Sequence, residues 1–160
     1  MEWVLRRTPW TALTACQTDT DPGVRGRAAV VLASLGHATA ESLRGLLKDP
    51  VPFVRAQACG ALARADLHEY LDEVLDLTTS METTQYDIRD WMTIEGEPGC
   101  ESHVGSASGF LGEAAATALA LLSHGQARIE PIATDDVEGS LRRNRAIVAA
   151  WFTNSDKAHD

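Results

Sequence analysis

The sequence predicts an all-α fold: a short solenoid of about four stacked helix pairs, with an insertion in the third. Three observations predict it. A polar signature recurs at a fixed offset, an apolar stripe of helical period follows each copy, and no sustained period-2 alternation marks strands. The signature reads Asp19-Thr20-Asp21-Pro22-Gly23-Val24-Arg25 in the first copy and Asp49-Pro50-Val51-Pro52-Phe53-Val54-Arg55 in the second, an offset of 30 residues.

The elements follow in chain order. Thr8-Pro9 opens the first helix, with Leu13 and Cys16 facing inward. The second carries Val24, Ala28, Val31, Leu32 and Leu35, spaced as one helical stripe. Pro22 suits its first turn, where a missing N–H costs nothing, and Asp21 caps it. Thr39 caps a third helix marked by Leu43, Leu46 and Leu47. Behind Asp49 and Pro52 the stripe repeats as Val54, Ala58, Ala61, Leu62 and Ala65. Leu71, Val74 and Leu75 mark the next helix, with His68-Glu69 as its solvated start. Leu111, Ala115, Ala118, Leu119 and Leu122 form a third stripe. Ile129, Ile132 and Ala133 suggest a shorter helix, and Leu141, Arg145, Val148, Ala149 and Phe152 a fourth stripe interrupted by Arg145. An apolar face this wide is not buried within one pair, so neighbouring pairs stack. Residues 1–152 form the domain, and the polar stretch 153–160 is expected as a frayed tail.

Asp-x-x-Val-Arg followed by Ala-Ala-x-x-Leu, as in residues 21–32, resembles the HEAT repeat, and is similar to the short bacterial subtype of phycobilin-lyase-like proteins. The resemblance implies a right-handed α-solenoid. It also implies a structural ladder of Asp19, Asp49 and Asp136 with Arg25, Arg55 and Arg142, which holds successive repeats in register. The third copy departs from the pattern: its ladder slots hold Ser106 and Gly112, and its offset from the second is 57 residues instead of 30. The extra length, about residues 80–108, is an insert carrying Tyr86, Trp91, Met92 and Ile94, a composition that disorder does not favour.

Charge and composition narrow the function. The 160 residues carry 14 Lys+Arg against 23 Asp+Glu, a net charge of −9 that repels phosphate backbones and argues against nucleic acid. Cys16, Cys59 and Cys100 are odd in number and widely spaced, which suits a reducing compartment. No apolar run is long enough for a bilayer, and the stretch from Met1 to Arg7 lacks the order of a signal peptide, so a cytoplasmic protein is expected. Cys100-Glu101-Ser102-His103 supplies half a zinc site and lacks two further ligands nearby. His68-Glu69 resembles the His-Glu pairs of HEAT-fold iron hydroxylases, which repeat the pair in several helices, whereas here it occurs once. No metal or other cofactor is therefore expected. Trp3 and Trp10 at one end and Trp151 and Phe152 at the other are expected to seal the end repeats, or to form a homodimer through an end face.

The function these readings point to is a non-enzymatic protein–protein interaction or scaffold module, its partner another protein or peptide. The groove lined by the second helices would bind, and the insert would confer specificity. Trp91 and Met92 would supply apolar contact; Asp87, Arg89 and Asp90 would supply charged contact. The alternative is a lyase-like protein that modifies a small molecule or peptide held in the concave groove, with Cys100, His103 and Glu113 near its mouth.

Overall fold

A computed structural model describes residues 10–85 and 109–156. Seven helices make up this part: α1 (Trp10–Cys16), α2 (Pro22–Ser34), α3 (Ala40–Leu47), α4 (Pro52–Arg64), α5 (Leu71–Leu77), α6 (Leu111–Leu122) and α7 (Val137–Asp156). The first six pair as α1 with α2, α3 with α4 and α5 with α6, and the second helices α2, α4, α6 and α7 stack in sequence. The fold is therefore an all-helical, HEAT-like solenoid.

Local chemistry sets the helix boundaries. Pro22 and Pro52 occupy the first turns of α2 and α4, and the Asp21 carboxylate accepts the Gly23 N–H at 2.6 Å. Thr39 and Ser42 form a reciprocal capping box at α3. Gly36 (φ +71°) takes the left-handed conformation just past α2, as does Asp66 (φ +52°) past α4 and His124 (φ +50°) past α6. The core runs through the stack: Ala29, Leu43, Val54, Ala58, Leu62, Val74, Ala115, Leu119 and Val148 are all buried. Burying a side chain the size of Leu62 contributes about 1.5–3 kcal/mol. Within it α2 and α4 approach closely, because a Cβ on Gly26 would lie 3.0 Å from the Phe53 ring.

The structure departs from the sequence pattern at several places. Leu35, assigned to the first stripe, caps α2 and is 38% exposed; Ala29 and Ala33 fill the core instead. His68 and Glu69 precede α5, whose first turn carries Asp72 and Glu73 after Tyr70 at φ +60°. Tyr70 is held there by donating its hydroxyl to Glu41 at 2.8 Å and by the Arg44 guanidinium 4.9 Å from its ring centre. Residues 125–136 form no helix, although Ile129, Ile132 and Ala133 have helical spacing. Pro131 lacks an N–H, and side chains of α7 take up the neighbouring backbone groups. Buried Asn144 accepts the Glu130 N–H at 2.7 Å and donates to the Glu130 carbonyl at 2.8 Å, while Ser140 accepts the Ala133 N–H at 3.1 Å. Helix α7 continues past residue 152 to Asp156, with the Thr153 hydroxyl bonded to the Ala149 carbonyl at 3.0 Å. Trp10 is 55% exposed and lies against the His37 ring at 3.8 Å between centres, whereas Trp151 and Phe152 are half-buried against the core. Trp3 lies outside the described residues.

The two ends of the insert meet. Thr83 and Phe110 form an antiparallel bridge, flanked by Thr84 N–H to Gly109 O at 2.9 Å, Leu111 N–H to Glu82 O at 2.8 Å and Gly112 N–H to Ser80 O at 3.0 Å. Gly112 makes this approach possible: a Cβ there would sit 2.5 Å from the Thr78 carbonyl oxygen and 2.9 Å from that of Ser80. Gly112→Ala is thus expected to destabilise the protein by about 2–3 kcal/mol, the upper range for overpacking, since backbone rather than a side chain must move. Gly60, whose Cβ position is open, is the matched control: Gly60→Ala in α4 should stabilise by about 0.5–1 kcal/mol. Urea unfolding of both variants measures the difference.

Candidate functional site

The site is built on the register of the second helices, and arginines set that register. The Arg25 guanidinium grips Asp49 of the next repeat with two bonds, Nε to Oδ2 at 2.8 Å and Nη2 to Oδ1 at 2.9 Å. Its Nη1 turns back to the carbonyls of Asp19 and Thr20 at 2.9 and 3.1 Å. Arg55 repeats the arrangement one step on: Nη1 donates to the Asp49 carbonyl at 2.7 Å and Nη2 pairs with Glu82. The carboxylates are themselves held, since Asp19 Oδ1 accepts the Asp21 N–H at 2.8 Å and Asp49 Oδ1 the Val51 N–H at 2.9 Å. Burial opposes the charge on Asp49, but the Arg25 fork and the Val51 N–H together hold its carboxyl below the ordinary value. The Arg55 guanidinium likewise holds Glu82 below its usual range.

Glu82, one residue ahead of the Thr83–Phe110 bridge, thus receives the arginine of repeat two; Ser106 lies outside the described residues. In repeat four, Asp136 accepts the Gly139 N–H at 3.0 Å and pairs with Arg143 at 3.0 Å, while Arg142 pairs with Glu138 on its own helix. The fourth repeat is tied to the third by Arg145, whose guanidinium donates to the Leu75 carbonyl and to Thr78 Oγ1 at 3.3 Å at the end of α5. A cation there meets the negative end of the α5 dipole, on a carbonyl that also accepts the Thr78 N–H and hydroxyl.

This stacking leaves a groove of about 380 Å³ between α4 and α6. Ala56 and Gly60 form one wall, and Glu113, Ala114, Thr117 and Leu121 the other. Thr84, Gly109 and Phe110, the root of the insert, close one end. Leu121 is 63% exposed on the rim. Of the residues expected to act, Glu113 is therefore placed in the groove wall. Asp87, Arg89, Asp90, Trp91, Met92, Cys100 and His103 lie outside the described residues. Cys59 is buried and its thiol is pushed up to about 12 by burial, so it is no nucleophile.

A family model for HEAT repeats matches residues 11–91. The chain belongs to the HEAT-repeat family. No curated protein and no solved structure matches it. HEAT repeats are in general protein-interaction and scaffold modules, and a stack with an open groove between second helices fits that general role. Among the described residues of this HEAT-repeat protein, no helix is long and apolar enough to cross a membrane.

The ladder carries a pH signature. Asp49 has a lowered folded-state pKa, so its contribution is fully present above the ordinary carboxylate value of about 3.9 and is lost as pH falls through the lowered value. Asp49→Asn is expected to cost about 2–3 kcal/mol at pH 7, the range for charge-assisted hydrogen bonds. The gap in Tm between wild type and Asp49→Asn should close as pH drops below about 4. A gap that stays constant from pH 7 to 3 would show that the carboxylate's charge is not what the rung depends on.

Proposed function

We propose that this protein is a non-enzymatic interaction module that binds an extended segment of another protein in the groove between α4 and α6. The observation that carries this reading is the groove itself: an open slot walled by Ala56, Gly60 and Ala114, rimmed by exposed Leu121, and rooted beside the insert. Small side chains on both walls let a peptide approach the helices, and Leu121 offers the apolar contact. Glu113 supplies one carboxylate, which together with the chain's net charge of −9 favours a partner with a basic residue beside its apolar anchor. The insert would add specificity through Trp91, Met92, Asp87, Arg89 and Asp90, and a cytoplasmic setting suits three cysteines without a disulfide pattern.

The position of Glu113 also favours a second reading, a lyase-like role in which a small ligand sits in the same groove. The two readings separate in one experiment. Gly60→Tyr places a ring over the groove from a position whose Cβ meets nothing within 4 Å, and circular dichroism checks that the fold is kept. Partner capture by wild type, Gly60→Tyr and the Trp91→Ala, Arg89→Ala double variant is compared at equal protein. The interaction reading expects recovery to fall at least about tenfold for Gly60→Tyr, roughly the loss of one apolar anchor, and to fall for the double variant. Equal recovery by all three, or purified protein that carries a bound chromophore, would reject it.

A further inference from the structure

We propose that Asp66, His68 and His124 form a surface zinc site that clips repeat two to repeat three. Asp66 and His68 belong to the turn after α4, and His124 to the turn after α6. His68 Nε2 lies 3.3 Å and His124 Nε2 lies 3.7 Å from the same oxygen, Asp66 Oδ1. The three ligand atoms all fall within 4.8 Å of one another. Zinc–nitrogen and zinc–oxygen bonds of about 2.0–2.1 Å at tetrahedral angles place ligand atoms about 3.4 Å apart, so both measured edges match the ion's own geometry.

The donor set selects the metal. Two imidazoles and one carboxylate suit zinc and neighbouring first-row ions, whereas magnesium and calcium require oxygen donors. The side chains are 48%, 71% and 62% exposed for His68, His124 and Asp66, which leaves the remaining coordination position open to water. The turns that present them are well defined. Asp66 (φ +52°) and His124 (φ +50°) both occupy left-handed positions where the matching turn of repeat one has Gly36 (φ +71°). In repeat one His37 is turned aside against Trp10, so the three-ligand arrangement is specific to the turns of repeats two and three. Three ligands in two turns would make the metal a strap across the edge of the stack, on the far end of α4 and α6 from the root of the insert.

Zinc titrated into the full chain, followed by calorimetry and by the visible spectrum of cobalt as a substitute ion, tests the site. One equivalent should bind, with a tetrahedral cobalt spectrum. His68→Ala and His124→Ala, both exposed and checked for fold by circular dichroism, should each weaken binding at least about tenfold. Asp66→Asn keeps a residue that tolerates the left-handed turn and should weaken it too. A Cys100→Ser, His103→Ala double variant and His37→Ala should bind as wild type. Zinc should also raise the Tm of wild type and not of His124→Ala, because an ion that binds only the folded chain stabilises it. Absence of binding at millimolar zinc, or binding that survives loss of both His68 and His124, would overturn the proposal.

Discussion

The rung between Arg25 and Asp49 is the constraint on which the rest of the stack depends. The second helices meet through alanine and glycine: Ala29, Ala33, Ala58, Ala61, Ala115 and Ala118 are buried along them. Such smooth surfaces pack closely but discriminate poorly between one register and the next, because short side chains present shallow ridges and grooves. A bidentate guanidinium–carboxylate pair does discriminate. Its two parallel bonds need a single orientation, and Arg25 is held at its other edge by the Asp19 and Thr20 carbonyls of its own turn. Arg55 spans the next step with single bonds, one to the Asp49 carbonyl and one to Glu82. Apolar burial supplies the cohesion of the solenoid, and the two arginines fix how its layers are offset.

The third repeat has no arginine in its ladder slot, and the reason is steric. Gly112 stands in the arginine slot because the chain entering the insert passes directly over it, with the Thr78 and Ser80 carbonyls where a side chain would go. Backbone bonds from Leu111 and Gly112 to Glu82 and Ser80 then hold the register that a guanidinium holds elsewhere. The same bonds bring Thr84 and Gly109 together at 2.9 Å, so the insert begins and ends at one point. A loop closed in this way adds to the entropy of closure only slowly as it lengthens, which lets a long segment be accommodated without disturbing α5 and α6. Past this point a different interaction takes over, as Arg145 reaches from α7 to the end of α5.

Much of this was legible in the sequence because it is local and periodic. The offset of 30 residues between Arg25 and Arg55, the prolines at helix starts and the stripes of α4 and α6 all follow from spacing along the chain. What was not legible depends on proximity that the insert hides. Glu82 stands at the start of the insert, displaced from the slot that counting assigns to Ser106, so no fixed offset points to it. Arg145 looks like a fault in an apolar stripe, and only the adjacent carbonyls of α5 explain it. Ile129, Ile132 and Ala133 imitate a helix, but Pro131 and the competing side chains of Asn144 and Ser140 decide otherwise. In the groove, Glu113 was legible as a carboxylate near the end of the insert, whereas the small-residue walls became a site only once α4 and α6 were set side by side.

The groove follows from what those walls lack. Between most packed helices the intervening side chains interlock and fill the space. Here Ala56 and Gly60 on α4 face Ala114 and Thr117 on α6, and none is long enough to reach across. The buried contacts that join the same two helices lie mostly on other faces, at Ala58, Cys59, Ala61 and Leu62 of α4 and at Ala115 and Leu119 of α6, with Ala118 shared between core and groove. Apart from Ala118, the core and the groove therefore draw on separate residues of the same two helices. The exposed wall residues contribute little to cohesion, so on the proposed reading their identity would be free to suit an occupant of the slot. The ladder and the core keep the slot's width fixed before anything enters it, and a preformed width lowers the ordering cost of binding.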